Sequence, residues 1–366
     1  LRHLGCAGGV IITASHNPIA YNGIKLLLGN GVAPPADCAE KIKGRFLNKD
    51  FDVVDSLNCG SFTGTSEADA VHIEKVLGIV EKALIASKRF KVVLDSVNGA
   101  GGPITKKLLA ESGCEVVAVN DEATGLFAHS PEPTAENLTS LCEVVRNSGA
   151  QIGLAQDPDA DRLAIVDENG RYIGEEYTLA LAAKLVFSKQ RGKAAANLST
   201  SRMIDDIAQQ AGGEVIRTPV GEAHVAGAMI ENACVIGGEG NGGIIDLRVG
   251  PVRDSLVGIA LVLQLMAETG KSIGELVAEI GGYYMHKEKF SANREQAGRI
   301  LEMVKDAFPE AKIDTRDGCR LDFADGWLHL RSSNTEPVMR CIVEAEDEAA
   351  ARTYLERIAE IRSKAF

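Results

Sequence analysis

The run Lys91-Val-Val-Leu-Asp95 and the glycine turn Asn98-Gly-Ala-Gly-Gly102 decide the fold of this chain. The apolar run is typical of a buried strand, and the glycines allow a tight turn into a following helix. Outward from there, strand Glu115–Val119, a helix ending at Ser148 and strand Ile152–Ala155 continue the pattern. Strands that alternate with helices over short connections predict a β-α-β unit and an α/β fold.

The same alternation recurs on both sides of this unit. We predict strand Gly9–Thr13, helix Val71–Ala86, helix Tyr177–Ser188, strand Lys193–Leu198, helix Arg202–Gly212 and strand Glu214–Thr218. From about His286 onward, strands enclosed by two helices indicate an α+β domain. The prediction is three similar α/β domains and a C-terminal α+β domain: a partial domain I at residues 1–62, domain II at 63–171, domain III at 172–284 and domain IV at 285–366.

Composition narrows the classes of partner. The 366 residues carry a formal net charge of −12, which disfavours nucleic acid and anionic membranes as partners. The longest apolar stretch, near Leu256–Ala267, is too short to cross a bilayer, and no charged-then-apolar signal segment opens the chain, so we expect a cytoplasmic protein. The eight cysteines contain no CxxC pair and are expected to be reduced thiols. An anionic substrate would need cations concentrated locally.

The segment Thr13-Ala-Ser-His-Asn-Pro18 offers an exposed serine on a turn. We predict that it joins a strand to a helix. The N-terminus of that helix would favour a phosphate on Ser15. A serine in an ordinary polar surface loop is the alternative interpretation of this segment taken alone.

The segment Asp157-Pro-Asp-Ala-Asp161-Arg162 follows a predicted strand. In an extended loop, alternate side chains point the same way, so three carboxylates converge and repel one another unless a hard divalent cation lies between them. A calcium loop of the EF-hand type is excluded, because Arg162 stands where that loop needs glycine. The sequence predicts a Mg²⁺ site, with a solvated acidic turn as the weaker alternative.

Two further segments carry groups that bind ligands. Gly237-Gly-Glu-Gly-Asn-Gly-Gly243 lets the backbone approach a ligand closely, and Glu239 and Asn241 offer acceptors and donors for sugar hydroxyls. Arg331-Ser-Ser-Asn-Thr-Glu-Pro-Val-Met-Arg340 combines two guanidiniums with hydroxyls and an amide, as a phosphate site requires. A flexible glycine turn and a polar hairpin loop are the respective alternatives.

In this order, the four segments resemble those of the α-D-phosphohexomutase superfamily, and the resemblance spans nearly the whole chain. It implies three α/β domains with mixed sheets and a C-terminal domain, each giving one loop to an active site in a central cleft. The implied roles are phosphoserine for Ser15; metal ligands for Asp157, Asp159, Asp161 and a phosphoserine oxygen of Ser15; sugar binding for Glu239 and Asn241; phosphate binding for Arg331, Ser333, Asn334, Thr335 and Arg340; and flanking catalytic positions for His16, Lys25 and Arg162.

The resemblance also implies a reaction. Phospho-Ser15 gives its phosphoryl group to a hexose monophosphate, and the resulting 1,6-bisphosphate reorients and returns its other phosphate, with Mg²⁺ as cofactor and hexose 1,6-bisphosphate as activator. We favour Lys25 as general acid/base, because a lysine beside a metal and an arginine can have a lowered pKa, whereas arginine does not deprotonate. Arg162 would then stabilise charge in the transition state. A monomer or homodimer is expected.

Three points stay open at the level of sequence. Asn241 and Gly243 stand where the family commonly has Ser and often His, a variant that resembles both phosphoglucosamine mutases and phosphomannomutase/phosphoglucomutases; we place glucosamine phosphate first. The family has a strand-helix region before the serine loop, with a phosphate-contacting arginine, and we expect the chain to lack it. The chain could therefore be a non-catalytic sugar-phosphate binder, and a Mg²⁺-dependent phosphatase is a further alternative.

Overall fold

The computed structural model describes residues 1–333 and 337–365. In the first half of the chain, strands and helices alternate. One loop in this half carries Ser15, and another carries the three aspartates Asp157, Asp159 and Asp161. The elements in chain order are β1 (Gly8–Ile12), β2 (Ile24–Leu28), α1 (Ala36–Leu47), α2 (Ala68–Leu77), α3 (Lys82–Lys88), β3 (Lys91–Asp95), α4 (Gly101–Glu111), β4 (Glu115–Val119), a 3-10 turn (Ala135–Asn137), α5 (Thr139–Ser148), β5 (Ile152–Gln156) and β6 (Leu163–Val166).

The second half repeats the alternation and then changes to an antiparallel arrangement. Its elements are α6 (Glu176–Lys189), β7 (Lys193–Asn197), α7 (Met203–Gln210), β8 (Glu214–Thr218), α8 (Glu222–Asn232), β9 (Ile236–Glu239), β10 (Gly243–Ile245), α9 (Ser255–Thr269), α10 (Ile273–Ile280), β11 (Tyr284–Ser291), α11 (Arg294–Ala307), β12 (Lys312–Asp314), β13 (Cys319–Asp322), β14 (Gly326–Ser332), β15 (Val338–Ala345) and α12 (Glu348–Ala365). The predicted α/β class is confirmed.

The chain divides into two compact units, and neither is continuous in sequence. The first comprises Leu1–Glu175 and Gly243–Ile273, and the second comprises Glu176–Gly242 and Gly274–Phe366. Helix α9 therefore belongs to the first unit, although we predicted it within domain III. The four predicted domain boundaries stay predictions.

A mixed four-stranded sheet forms the centre of the first unit. Its order is β4-β3-β5-β6, with β3 parallel to β4 and β5, and β6 antiparallel to β5. Strands β5 and β6 are fully buried, which explains their continuous apolar sequence. The antiparallel pair ends at Gln156 opposite Leu163, so the intervening segment, with the three aspartates, is a hairpin loop at the edge of the sheet.

The loop carrying Ser15 also joins two antiparallel strands, so the helix that we predicted after it is wrong. β1 pairs with β2 from Gly8 opposite Leu28 to Ile12 opposite Ile24. The run Ile24-Lys-Leu-Leu-Leu28 supplies a second apolar segment of strand length, and pairing with β1 satisfies its backbone. At the end of the pair, a Cβ on Gly23 would lie 2.7 Å from the Thr13 carbonyl oxygen, which explains the glycine there.

Two sheets build the second unit. β7 is parallel to both β8 and β9, as expected for a βαβ arrangement. The five-stranded antiparallel sheet has the order β11-β15-β14-β13-β12. Its core joins strand residues such as Leu328 and Val343 to Phe308 and to Ile358 of α12, so the predicted C-terminal α+β arrangement is confirmed.

One predicted helix is in fact two. The stretch Val71–Ala86 is interrupted after Leu77, where Gly78 caps α2, and the chain resumes helical geometry only at Lys82. The two short helices pack against α9, the most deeply buried helix of the first unit. Within the described residues, no single helix is long and apolar enough to cross a membrane; α9 and α10 meet those criteria only when taken together, across a bend of 91°.

The beginning of α9 is fixed by three separate contacts. The Asp254 side chain caps the helix by accepting hydrogen bonds from the backbone of Leu256 and Val257, and its own N–H donates to the Ile244 carbonyl at 2.8 Å. His72 Nε2 lies 2.8 Å from Asp254 Oδ2. This hydrogen bond raises the pKa of His72, against the lowering effect of its burial.

We predict that His72 stabilises the first unit mainly at low pH. A folded-state pKa above the ordinary value of about 6.5 contributes stability that is complete below that value and is lost as pH rises through the folded pKa. His72→Gln should therefore cost more free energy of unfolding near pH 5.5 than near pH 8.5, by less than about 1 kcal/mol because the imidazole is partly solvent-exposed. Chemical denaturation at both pH values measures the difference, with the exposed His3→Gln as control; a pH-independent cost would contradict the prediction.

Candidate active site

Ser15 occupies a strained position in its loop. Its φ of 53° lies in the left-handed region, which costs a residue with a side chain roughly 1–2 kcal/mol. The Ser15 N–H donates to Thr13 Oγ1 at 2.8 Å, which helps to hold this conformation. Ser15 Oγ lies 3.1 Å from His16 Nδ1, so the imidazole can orient the hydroxyl. The serine is thus held at a defined position rather than in a free surface loop.

The three aspartates converge as predicted. Each offers one carboxylate oxygen to a group in which all the oxygens lie within 4.8 Å of one another. Asp157 is fully buried and Asp161 is 8% exposed, so water screens their charges poorly. At the tip of the loop, Ala160 has a φ of 57°, a second left-handed residue with a side chain. The loop concentrates negative charge and holds strain at the same place.

Every one of the three carboxylates has one oxygen held by protein donors. Lys25 Nζ serves two of them, and the remaining donors come from the serine loop, the aspartate loop and the segment before α9. The hydrogen bonds are Arg162 N to Asp157 Oδ1 (3.1 Å), Thr13 Oγ1 and Lys25 Nζ to Asp159 Oδ2 (3.2 and 2.6 Å), and Lys25 Nζ and Arg253 Nη2 to Asp161 Oδ2 (3.2 and 2.5 Å).

The second oxygen of each carboxylate is the one that fits a cation. Asp157 Oδ2, Asp159 Oδ1 and Asp161 Oδ1 are buried and have no hydrogen-bond partner among the described residues. Buried polar atoms are rarely left without partners, and hard divalent cations prefer carboxylate oxygens. The residues present therefore fit a divalent cation, with one oxygen from each aspartate.

The pKa shifts reflect the same crowding. Burial, and then the charges of Asp161 and Asp159, raise the pKa of Asp157 well above its ordinary value. Burial has the same tendency at Asp161, but Arg253, Lys25 and Arg162 outweigh it and lower its pKa. Cations from three different segments thus keep part of the cluster ionised.

Lys25 departs from the prediction. We expected a lowered pKa, and burial does act in that direction, but the charges and hydrogen bonds of Asp161 and Asp159 outweigh it and raise the pKa. The lowering expected from a neighbouring arginine is overcome because two carboxylates contact the ammonium directly. The predicted direction is therefore wrong for this arrangement of side chains.

Three residues at the site were missed from the sequence. Arg253, one residue before the cap of α9, binds Asp161, and Thr13 bridges the serine loop to Asp159. Glu132 Oε1 lies 3.7 Å from His16 Nε2 and 3.8 Å from Arg162 Nη1. Glu132 acts to raise the pKa of His16, but burial and then the charge of Arg162 lower it overall. Glu132 and Arg253 belong to segments that carry no recognisable motif. Only Thr13, within the serine segment, had a local signal.

In the second unit, Glu239 ends β9 and is 3% exposed. Its Oε1 accepts hydrogen bonds from Asn197 Nδ2 at 2.7 Å and from the Gly221 N–H at 3.0 Å. A Cβ on Gly240 would lie 2.0 Å from Glu176 Oε2, so any side chain there would displace the Glu176 carboxylate. Asn241 follows, half-buried. The glycine-rich loop is thus tightly packed rather than a flexible turn.

Arg331 and Arg340 face each other across the β14–β15 pair. Side chains directly opposite in an antiparallel pair lie on the same face, so two cations stand side by side. Arg331 is balanced by Asp317, with Arg331 Nε 3.3 Å from its carboxylate, whereas Arg340 is exposed. The Ser333 N–H donates to the Val338 carbonyl at 2.8 Å. Asn334 and Thr335, predicted in the same loop, lie outside the described residues.

Known proteins share both the sequence and the fold. Four family models match in order: phosphoglucomutase/phosphomannomutase alpha/beta/alpha domain I at residues 1–53, domain II at 70–170, domain III at 174–283 and the C-terminal domain at 289–361. A phosphoglucomutase/phosphomannomutase of Thermococcus kodakarensis is 40% identical over 97% of this chain and 78% of its own length. This chain belongs to the phosphoglucomutase/phosphomannomutase family.

Two further family members are similar over nearly the whole chain. A probable phosphoglucosamine mutase of Methanopyrus kandleri is 37% identical over 98% of this chain and 79% of its own length. The crystal structure of a phosphoglucomutase/phosphomannomutase family protein from Burkholderia thailandensis superposes with a TM-score of 0.86 at 27% identity, covering 98% of this chain and 76% of that one. The resemblance inferred from the four loops is confirmed.

We predict that Asp157→Asn stabilises the protein in the absence of divalent cations. The change replaces the fully buried member of three converging carboxylates with a neutral side chain of the same shape, and relieving such a functional strain commonly gains about 0.5–2 kcal/mol. The same variant should lose most of the stabilisation that Mg²⁺ gives the wild type, because binding raises the free energy of unfolding only where a site exists. Thermal unfolding with EDTA and with Mg²⁺ measures both effects. A variant that is less stable in EDTA would count against the repulsion.

Proposed function

We propose that this protein is a phosphohexomutase, interconverting the 1- and 6-phosphates of a hexose through phospho-Ser15. The observation that carries the proposal is the link between the two loops of the first unit. Thr13 Oγ1 accepts from the Ser15 N–H and donates to Asp159, so the nucleophile and the three carboxylates are tied together through one side chain. A surface serine or a solvated acidic turn would not need that link.

Within this proposal, Asp157, Asp159 and Asp161, together with an oxygen of phospho-Ser15, would hold Mg²⁺. Bound there, it would supply positive charge against the negative charge that develops on the transferring phosphoryl group. The chain's own cations supply the remaining stabilisation, and Arg162 is the candidate for it because its guanidinium stays charged and lies beside Asp157 and Asp161. His16 orients Ser15 Oγ.

Proton transfer is assigned to Lys25. Arg162 cannot serve, because a guanidinium does not give up its proton at accessible pH. Asp161 and Asp159 raise the pKa of Lys25 against the effect of burial, so its ammonium is protonated and has a proton to donate as an acid. As a base, it needs the charge of those carboxylates to be offset, so we propose that it accepts the proton of the attacking sugar hydroxyl only in the loaded protein.

Binding of the substrate is assigned to residues of the second unit. We propose that Glu239 and Asn241 recognise sugar hydroxyls, and that the phosphate not being transferred is bound by Arg331, Ser333, Asn334, Thr335 and Arg340. In the first half-reaction the bond from phosphorus to Ser15 Oγ breaks and one to the sugar oxygen forms; in the second, the other phosphate returns to Ser15. Hexose 1,6-bisphosphate therefore serves as activator, because it rephosphorylates the serine.

The sugar is the finer part of the proposal. Glucosamine phosphate stands first, supported by the 37% identical probable phosphoglucosamine mutase from Methanopyrus. Glucose and mannose phosphates stand next in view of the 40% identical relative, and the variant sugar loop is compatible with all three. A cytoplasmic location and a monomer or homodimer are further parts of the proposal. The net charge of −12 supports its last part, that neither nucleic acid nor an anionic membrane is a partner.

The decisive test supplies Mg²⁺, a trace of hexose 1,6-bisphosphate and each 6-phosphate of glucosamine, glucose and mannose. We expect conversion to the 1-phosphate of at least one sugar, one phosphoryl group by intact-mass analysis, and loss of both in Ser15→Ala, with activity falling at least about a thousandfold. Ser112→Ala is the matched control, because Ser112 is a buried serine of the first unit whose hydroxyl donates to the Leu108 carbonyl of α4.

Other outcomes would overturn the mutase assignment. Inorganic phosphate released as fast as substrate is lost would make the protein a phosphatase. Calorimetric binding of sugar phosphate without turnover or serine phosphorylation would make it a binding protein. A phosphoryl group on another residue would refute Ser15.

A further inference from the structure

The first residue of α9 contacts the aspartate loop at two atoms. Ser255 N–H and Ser255 Oγ both donate to the Ala160 carbonyl, at 3.1 and 2.6 Å. Gln156, immediately before Asp157, donates from Nε2 to Ser255 Oγ at 2.7 Å. Ser255 is fully buried and stands 95 residues from Ala160 in sequence. One hydroxyl thus joins the beginning of the aspartate loop to its tip.

The anchor itself cannot shift easily. Asp254 caps α9 and binds both His72 and the Ile244 carbonyl, and the helix behind it is buried along almost its whole length. The Gln156 side chain is likewise buried and held, with Ser96 Oγ donating to its Oε1 at 2.9 Å and its Nε2 donating to Thr105 Oγ1 at 3.0 Å. Movement at this contact must therefore come from the loop.

The loop has reasons to move. Ala160 is held in the left-handed region, and its neighbours Asp159 and Asp161 repel each other and Asp157. If Ala160 relaxed to an ordinary conformation, its carbonyl would turn away from Ser255 and the flanking carboxylates would change direction. The two hydrogen bonds from Ser255 oppose this change, because breaking them would leave the hydrogen of a buried hydroxyl and a helix N–H without acceptors.

Resting on the metal-dependent function proposed above, we propose that Ser255 is a positioning residue. By fixing the Ala160 carbonyl and Gln156, it holds the aspartate loop in its converged form and so sets the affinity for the divalent cation. It touches neither metal nor substrate. Its role is to keep the aspartate loop closed. A loop that had opened would have to close again before each cation could bind, and that would lower the affinity.

The test is direct cation binding to the whole chain. Calorimetric titration with Mg²⁺, and electron paramagnetic resonance of Mn²⁺, should show Ser255→Ala binding roughly 10–100-fold more weakly than wild type, the range typical of residues that orient metal ligands. Ser112→Ala is the control: it removes a buried serine hydroxyl that donates to a helix carbonyl at 2.8 Å, away from the loop. It should lower thermal stability similarly without changing cation affinity. Ser255→Thr, which keeps the hydroxyl, should recover most of the affinity.

The outcomes separate the two proposals. Wild type and Ser255→Ala with equal affinities would overturn the role of Ser255 and leave the metal site standing. Equal weakening in Ser255→Ala and Ser112→Ala would overturn it as well, since the effect would then follow stability alone. A wild-type protein that binds neither Mg²⁺ nor Mn²⁺ would overturn the metal-dependent function together with this inference.

Discussion

The mutual repulsion of three converging carboxylates, two of them buried and one half-buried, is the constraint on which the described site depends. Two unit charges 4–5 Å apart at an effective dielectric constant near 20 repel by about 3–4 kcal/mol, a large fraction of the net stability of a typical domain. One oxygen from each of Asp157, Asp159 and Asp161 lies within 4.8 Å of the others, and Asp157 and Asp161 are buried away from water. The surrounding structure must therefore either supply opposite charge or restrain the backbone, and it does both.

The opposite charge comes from segments far apart in sequence. Lys25 follows the serine loop, Arg162 ends the aspartate loop and Arg253 precedes α9. In a chain with a net charge of −12, this concentration of cations is local and specific. The hydrogen bonds at these carboxylates reach only one oxygen of each. The opposite oxygens have no hydrogen-bond partner within the described residues, and Arg162 Nε lies 3.9 and 3.8 Å from those of Asp157 and Asp161. Buried polar atoms usually have a hydrogen-bond partner, so three such oxygens pointing at one place favour ligand binding over a purely structural role.

Sequence reasoning succeeded where the signal was local. Strands Glu115–Val119 and Glu214–Thr218 have the predicted bounds, because each is a five-residue run rich in β-branched residues that follows a glycine-containing turn. The aspartate loop was predictable because its ligands alternate along one short segment. The strand Ile24–Leu28 was not, since an apolar run of five residues fits a helix or a strand until its partner is known. Arg253, Glu132 and Ser255 act through contacts between segments distant in sequence, which leave no local pattern. The raised pKa of Lys25 results from two such contacts, with Asp159 and with Asp161.

The two strained residues give the site its connectivity. Ser15 and Ala160 both occupy the left-handed region, and both lie in loops between antiparallel strands. Glycine would adopt either conformation more easily, but at Ser15 it would remove the hydroxyl, and at Ala160 it would free a loop that must stay converged.

In each loop the hydrogen bond that offsets the backbone strain involves a hydroxyl that also has a second partner. Thr13 Oγ1 connects Ser15 to Asp159, and Ser255 Oγ connects Ala160 to Gln156. The bonds that offset backbone strain are thus the same bonds that connect the serine loop to the aspartates and the aspartates to α9. Strain at these two positions is therefore better understood as a consequence of fixing the loops together than as an independent source of reactivity.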